Sequence, residues 1–279
     1  MKKLATFCLL LLAFGAFAQF GGFFKNLQSN TNAQNNADGG NKVANFFKMG
    51  LDAGNVLKGV NGIGLQEEAT IGNSVAVQIV SRYGGLVRDP EITRRVNLIG
   101  KSLARSCERP ELNFRFGVLN SPTVNAFSAP GGYIFITRGL YDMTQSDDQL
   151  AGVLGHEIEH VAKKHALKII ARGQFLQGVA GLTSDIGAAN GKRNLTGYSQ
   201  SIGQLSDLIM EKGFDPQTEY IADASGSQLA ATVGYAPDGL RQCLQELQKH
   251  ETAGATFFPT HPPLQSRIAK LQSNETARN

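Results

Sequence analysis

The chain has 279 residues, 27 basic against 23 acidic, and a formal net charge of +4. That length fits one large domain or two small ones. Two of the basic residues, Lys2 and Lys3, belong to a predicted leader; without them the net charge is +2, which argues against a nucleic-acid partner or a strongly basic membrane patch.

In chain order, Lys2 and Lys3 precede an apolar run from Leu4 to about Phe14, and Ala16-Phe17-Ala18 places small residues where a signal peptidase reads them. The pattern predicts a signal peptide over residues 1–18, cut after Ala18. The run is short for a membrane span. Cys8 lies inside it without the small-residue context of a lipoprotein cysteine, so the expected product is exported across the inner membrane, periplasmic and without a lipid anchor. No later stretch reaches the length of a transmembrane helix. Residues 19–64, rich in Gly, Asn and Gln, cannot bury much surface and read as a flexible segment. Phe23, Phe24, Phe46 and Phe47 are its exceptions, as scattered linker aromatics or as groups that dock elsewhere.

The folded domain is expected over residues 65–279. Asp89-Pro90 supplies an N-cap and a first-position proline for a helix to about Cys107. Phe114, Phe116 and Val118 alternate as in a strand, and after the Ser121-Pro122 turn Tyr133 to Thr137 reads as a second one. Ser146 with Gln149 three residues later reads as a capping box, and Asp147 and Asp148 suit the first turn of a helix. Leu150, Val153, Leu154, Ile158, Val161 and Ala162 then recur at helical spacing, predicting one helix from 147 to about 170. Residues 172–198 are Gly-rich and fit a lid. Further helices are expected from about Gln200 to Lys212, from Asp215-Pro216 to Gly234, from Pro237 through Gln248, and from the Thr260-His261-Pro262-Pro263 turn to about Gln272. The sum is an α+β fold, mainly helical, with a small sheet over the helix of residues 147–170. Cys107 and Cys243 either close a disulfide or sit as two separately buried thiols, and no cysteine spacing suggests metal binding.

That helix carries His156-Glu157-Ile158-Glu159-His160. Histidines four apart project from one helix face, so both imidazoles can reach one metal ion, and Glu157 can act as base toward water there. A surface helix that happens to carry two histidines and two glutamates is the plain alternative. A catalytic zinc usually has three protein ligands. A third histidine six residues on would fall at Ala166, so that arrangement fails; His165 is one residue out of register and reads as a helper of a ligand or a surface histidine. A glutamate from a separate helix is the other arrangement: in Glu219-Tyr220-Ile221-Ala222-Asp223, Glu219 would be the ligand and Asp223 would fix a histidine tautomer, although taken alone the segment reads as an ordinary acidic helix face.

At this point the sequence resembles the gluzincin metallopeptidases of the HtpX, BepA and CAAX prenyl protease family. Four blocks carry the resemblance: Asn125-Ala126-Phe127 through Pro130-Gly131-Gly132; Gln149 through His156-Glu157 and His160 to His165; Glu219 with Ala222-Asp223; and Thr260-His261-Pro262-Pro263 with Arg267. Together they cover about residues 65–272. The resemblance implies a zincin-like metalloendopeptidase domain with one zinc per subunit, held by His156, His160 and Glu219. It further implies Glu157 as catalytic base, Asp223 supporting a histidine, and His261 facing the metal, either as an oxyanion stabiliser or as a ligand that closes a latent form. Tyr133 to Thr137 would be the edge to which a polypeptide substrate adds as a strand. Many relatives carry Ser-Arg shortly before the glutamate, where this chain has Phe214-Asp215-Pro216-Gln217. The expected role is quality control of unfolded or misassembled envelope proteins; the rival is a latent protease acting as a chaperone or assembly factor with envelope-protein partners.

Overall fold

The computed structural model describes residues 64–171, 203, 206–250, 257–258 and 260–276. Its elements, in order, are α1 (Leu65–Arg82), α2 (Pro90–Ala104), β1 (Arg115–Leu119), β2 (Ala126–Ala129), β3 (Tyr133–Thr137), α3 (Arg138–Met143), α4 (Asp147–Ala162) and α5 (His165–Ala171). A π-helical turn (Leu208–Lys212), α6 (Pro216–Thr232), α7 (Gly239–His250) and α8 (Leu264–Thr276) follow. The leader, the flexible segment up to residue 63 and the proposed lid at 172–198 lie outside the described residues. The fold is α+β and mainly helical, as expected.

The sheet order is β1-β3-β2, with β3 parallel to β1 and antiparallel to β2; Phe135 stands opposite both Gly117 and Phe127. Every residue of β3 is buried, because the two faces of the strand enter different cores. Ile134 and Ile136 pack with Leu150, Leu154 and Ile158 of α4, while Tyr133 and Phe135 pack with Ile71, Val75 and Ile79 of α1. The sheet is thus a layer between α1 and α4. This corrects the reading of Tyr133–Thr137 as an open edge: β3 is the central strand, its ladder groups taken on both sides, and cannot accept a third neighbour. The edge that lies against α4 is β2. Ala126–Ala129 carries one large apolar side chain in four residues, too short an alternation to read as a strand.

Local chemistry sets the helix ends. The Asp89 carboxylate accepts from the Glu91 and Ile92 N–H groups at 2.9 and 3.2 Å. Ser146 Oγ accepts from Gln149 N at 3.2 Å, and Gln149 Oε1 reaches back to Gln145 N at 2.9 Å, so the box closes one residue earlier than in its usual form. The motif helix does not run to 170. It ends at Ala162, and Lys164 takes a left-handed backbone (φ 55°) that starts α5 in a new direction. The expected helix to Lys212 is helical where it is described, at Gly203, Ser206 and Asp207, and ends in the π-helical turn. Cys107 and Cys243 are separate buried thiols, so no disulfide links them.

α4 is buried on all sides from Gln149 to Ala162, packed by α2, α6, α7 and β2. Glycines permit this. A methyl on Gly152 would meet the Leu240 nitrogen at 2.5 Å, one on Gly155 the Gly226 carbonyl oxygen at 2.6 Å, and one on Gly226 the His156 nitrogen at 2.5 Å. Backbone cannot yield as a side-chain tip can. Gly226→Ala is therefore expected to separate α4 from α6, costing about 1–3 kcal/mol and lowering the zinc content of the purified protein. Denaturant unfolding and metal analysis check both effects.

Candidate metal centre

The crossing at Gly155 and Gly226 places one face of α6 opposite His156 and His160. Asp223, one turn before Gly226, reaches His156 Nδ1 at 2.8 Å. Glu219, a further turn back, has its oxygens 3.5 Å from both His156 Nε2 and His160 Nε2. The two Nε2 atoms are 3.0 Å apart. His261, in the turn before α8, brings its Nε2 to 3.4 Å from Glu219 Oε2 and 4.0 Å from Glu157 Oε1. All of these side chains are buried or nearly so. The donor atoms of His156, His160, Glu219 and His261 lie within 4.8 Å of one another.

The residues present fit a metal ion. Both Glu219 oxygens are buried without a hydrogen-bond donor. His156 Nδ1 lies 2.8 Å from Asp223 Oδ1 and His160 Nδ1 lies 2.9 Å from His165 Nδ1, so the two Nε2 atoms are turned toward one another and toward Glu219. Two imidazole nitrogens beside a buried carboxylate that receives no hydrogen bond suit a cation. A tetrahedral zinc with bonds of about 2.0–2.1 Å spaces its donors by about 3.3–3.4 Å, close to the separations found here.

Positive charge is favoured between these groups: burial opposes protonation of His156, yet the adjacent Asp223 and Glu219 carboxylates carry its pKa up to about 9. Burial and the neighbouring His156 hold His160 well below its ordinary value. Burial pushes the Glu157 carboxyl up to about 7, against the opposing pull of His156 and a hydrogen bond from the Ser128 hydroxyl. Burial alone would raise Asp223, but Arg267 and His156 outweigh it and keep the carboxyl strongly acidic.

The sequence-predicted residues therefore converge: His156, Glu157 and His160 from α4, Glu219 and Asp223 from α6, and His261 from the last turn. Their neighbours carry information that spacing did not. Arg267, fully buried, donates Nε and Nη2 to the two Asp223 oxygens at 3.0 and 2.6 Å, completing an Arg267–Asp223–His156 chain. His165 is buried against His160 because left-handed Lys164 turns it back. Phe214, at the position of the departure before Glu219, stacks on the His160 ring at 4.3 Å and 17°, while Asp215 caps α6. Ser128 comes from β2, the strand that alternation could not show. Glu159 points away from the centre, to Lys163 Nζ at 3.1 Å.

A model of Peptidase family M48 matches residues 90–275, a stretch that contains every one of these groups. The chain belongs to this family of zinc-dependent peptidases. It is 26% identical over 241 residues to the beta-barrel assembly-enhancing protease of Escherichia coli, covering 81% of this chain and 46% of the relative. Metalloprotease LoiP of Escherichia coli is 27% identical over 188 residues (67% of this chain, 72% of the relative), and metalloprotease YcaL is 28% identical over 207 residues (74% of each). The chain spans less than half the length of the beta-barrel assembly-enhancing proteases of Escherichia coli and Yersinia pestis.

Arg267→Leu leaves the buried Asp223 carboxylate without its guanidinium partner and with only His156 beside it. The expected cost is about 3–5 kcal/mol, with zinc affinity lower by roughly 10–100-fold because the His156 ring loses its orientation. Denaturant unfolding and competition with a chelator measure the two effects; unchanged zinc affinity in a folded variant would show that Asp223 orients His156 unaided.

Proposed function

We propose that this protein is an exported zinc metalloendopeptidase acting on unfolded or misassembled envelope proteins. The observation that carries the catalytic part is the convergence of His156, His160 and an unpartnered, buried Glu219 from two helices, with Glu157 beside them. In this reading His156, His160 and Glu219 hold the metal, and Asp223 with Arg267 fixes the His156 ring. Zinc bound there supplies Lewis acidity, lowering the pKa of water and polarising a carbonyl. The Glu157 carboxylate takes the proton of the attacking water and returns it to the leaving amine. The Ser128 hydroxyl orients that carboxylate from β2, along whose free edge an extended peptide would pair.

The envelope setting is supported by the leader pattern of residues 1–18 and by similarity to a relative named for β-barrel assembly. Among the described residues no helix is long and apolar enough to cross a membrane. Cleavage of casein or a quenched peptide is expected in the wild type. It should vanish both in Glu157→Gln, which keeps its zinc, and after chelation, with recovery only of the wild type on zinc addition. Cleavage by Glu157→Gln at the wild-type rate would contradict the mechanism.

The position of His261 favours a second reading, a latent resting form. Its Nε2 stands 3.4 Å from Glu219 Oε2, matching the 3.5 Å spacing of the other two imidazoles from that carboxylate. Thr260 Oγ1 lies 3.0 Å from His261 Nδ1; a hydroxyl that accepts the Nδ1 proton leaves Nε2 as a lone pair toward the metal. Closure by His261 predicts that His261→Ala cleaves faster than wild type. A fall of roughly 10²-fold would instead assign His261 to the oxyanion.

A further inference from the structure

The family match begins at Pro90, yet α1, which precedes it, grips the turn that joins β2 to β3. Glu68, 1% exposed, accepts the Gly131 N–H at 3.1 Å through Oε1. The same carboxylate is held by both Arg109 guanidinium nitrogens, at 3.0 and 2.8 Å. Around this bond the two backbones are in contact. A methyl on Gly72 would lie 1.7 Å from the Pro130 carbonyl oxygen, and one on Gly131 2.8 Å from the Ala69 Cα. One turn further on, the Tyr133 hydroxyl donates to Asn73 Oδ1 at 3.0 Å. Glu68, Ser128, Pro130 and His160 line one small cavity, so the clamp lies directly behind the metal helix.

We propose that Glu68, locked by Arg109, is a positioning residue for substrate: it fixes the Pro130-Gly131 turn against α1 and thereby sets the height and register of β2 over α4. The chain of contacts is short. β2 has four residues, is paired on one side only among the described residues, and enters the turn directly after Ala129. Its Ser128 lines one small cavity together with Glu157. Glu68 touches none of the catalytic groups, and Arg109 holds its carboxylate toward the turn through two hydrogen bonds. A loosened turn shifts the β2 edge along which a long peptide would pair, so it should be felt in the binding of that peptide. α1 is in this account part of the catalytic unit.

The inference rests on the reading of β2 as the strand to which substrate pairs, so the test uses two quenched peptides with one scissile sequence. One is long enough to pair along all of β2 and the other is too short to do so. Steady-state kinetics, zinc content and thermal melting are measured for wild type, Glu68→Gln and Tyr133→Phe. For zinc-loaded, folded Glu68→Gln the KM of the long peptide is expected to rise roughly ten-fold or more, with kcat/KM for the short peptide unchanged. Tyr133→Phe, which loses only the hydroxyl bonded to Asn73, gives the same pattern at smaller size and carries the test should Glu68→Gln fail to fold. A clamp that served stability alone would lower the melting temperature and leave the KM of the long peptide as in wild type. That result, or an equal loss for both peptides, overturns the proposal. A wild-type enzyme with no preference for the longer peptide overturns the strand reading, and the clamp with it.

Discussion

Where α4 crosses α6, Gly155 meets the Gly226 carbonyl and Gly226 meets the His156 nitrogen at distances that admit no side chain. The rest of the centre depends on that approach. With the backbones this close, Asp223 can bond a ring nitrogen of His156 and Glu219 can stand within 3.5 Å of two imidazoles. A bulkier pair at the crossing would leave the same four side chains at helix–helix distances too long for one ion. The cost of burying Asp223 and Glu219 is met locally: Arg267 neutralises the first with two hydrogen bonds, and the imidazole pair faces the second.

Much of this was legible in the amino-acid order. His156 and His160 lie on one face of any helix, and Ser146 and Asp215 mark where two of the helices begin. The Glu219–Asp223 spacing is likewise a property of a single helix, so the helical period alone presents both carboxylates to one neighbour. What the order does not show is two-sided. The place of β3 in the middle of the sheet depends on β2, whose four small residues give no clear alternation. The burial of His165 depends on one left-handed residue, Lys164, which breaks an otherwise uniform apolar stripe. Arg267 shares a short terminal helix with Lys270 and Glu275, and nothing in their spacing marks it as the partner of Asp223. α1 was missed although Ile71, Val75 and Ile79 recur every fourth residue.

The centre is enclosed from three directions by elements of different character. α4 and α6 form a rigid floor of helix backbone, β2 forms a wall, and the Thr260-His261 turn with Phe214 covers the remaining side. Gly213, at φ 65°, packs against the Thr260 carbonyl so closely that a methyl there would be 1.6 Å from its oxygen. The segment that leads into Glu219 and the turn that carries His261 are therefore in backbone contact. The Phe214 ring lies flat over His160 and gives that imidazole an apolar cover.

The central claim is that two helices brought into backbone contact deliver a two-imidazole, one-carboxylate zinc site. X-ray absorption at the zinc edge of the purified protein tests it most directly. The account predicts one zinc per chain with imidazole nitrogens and carboxylate oxygen at about 2.0–2.1 Å, and loss of the imidazole signature in a His156→Ala, His160→Ala double variant. A shell containing sulfur at about 2.3 Å, or one made of oxygen alone, would contradict it.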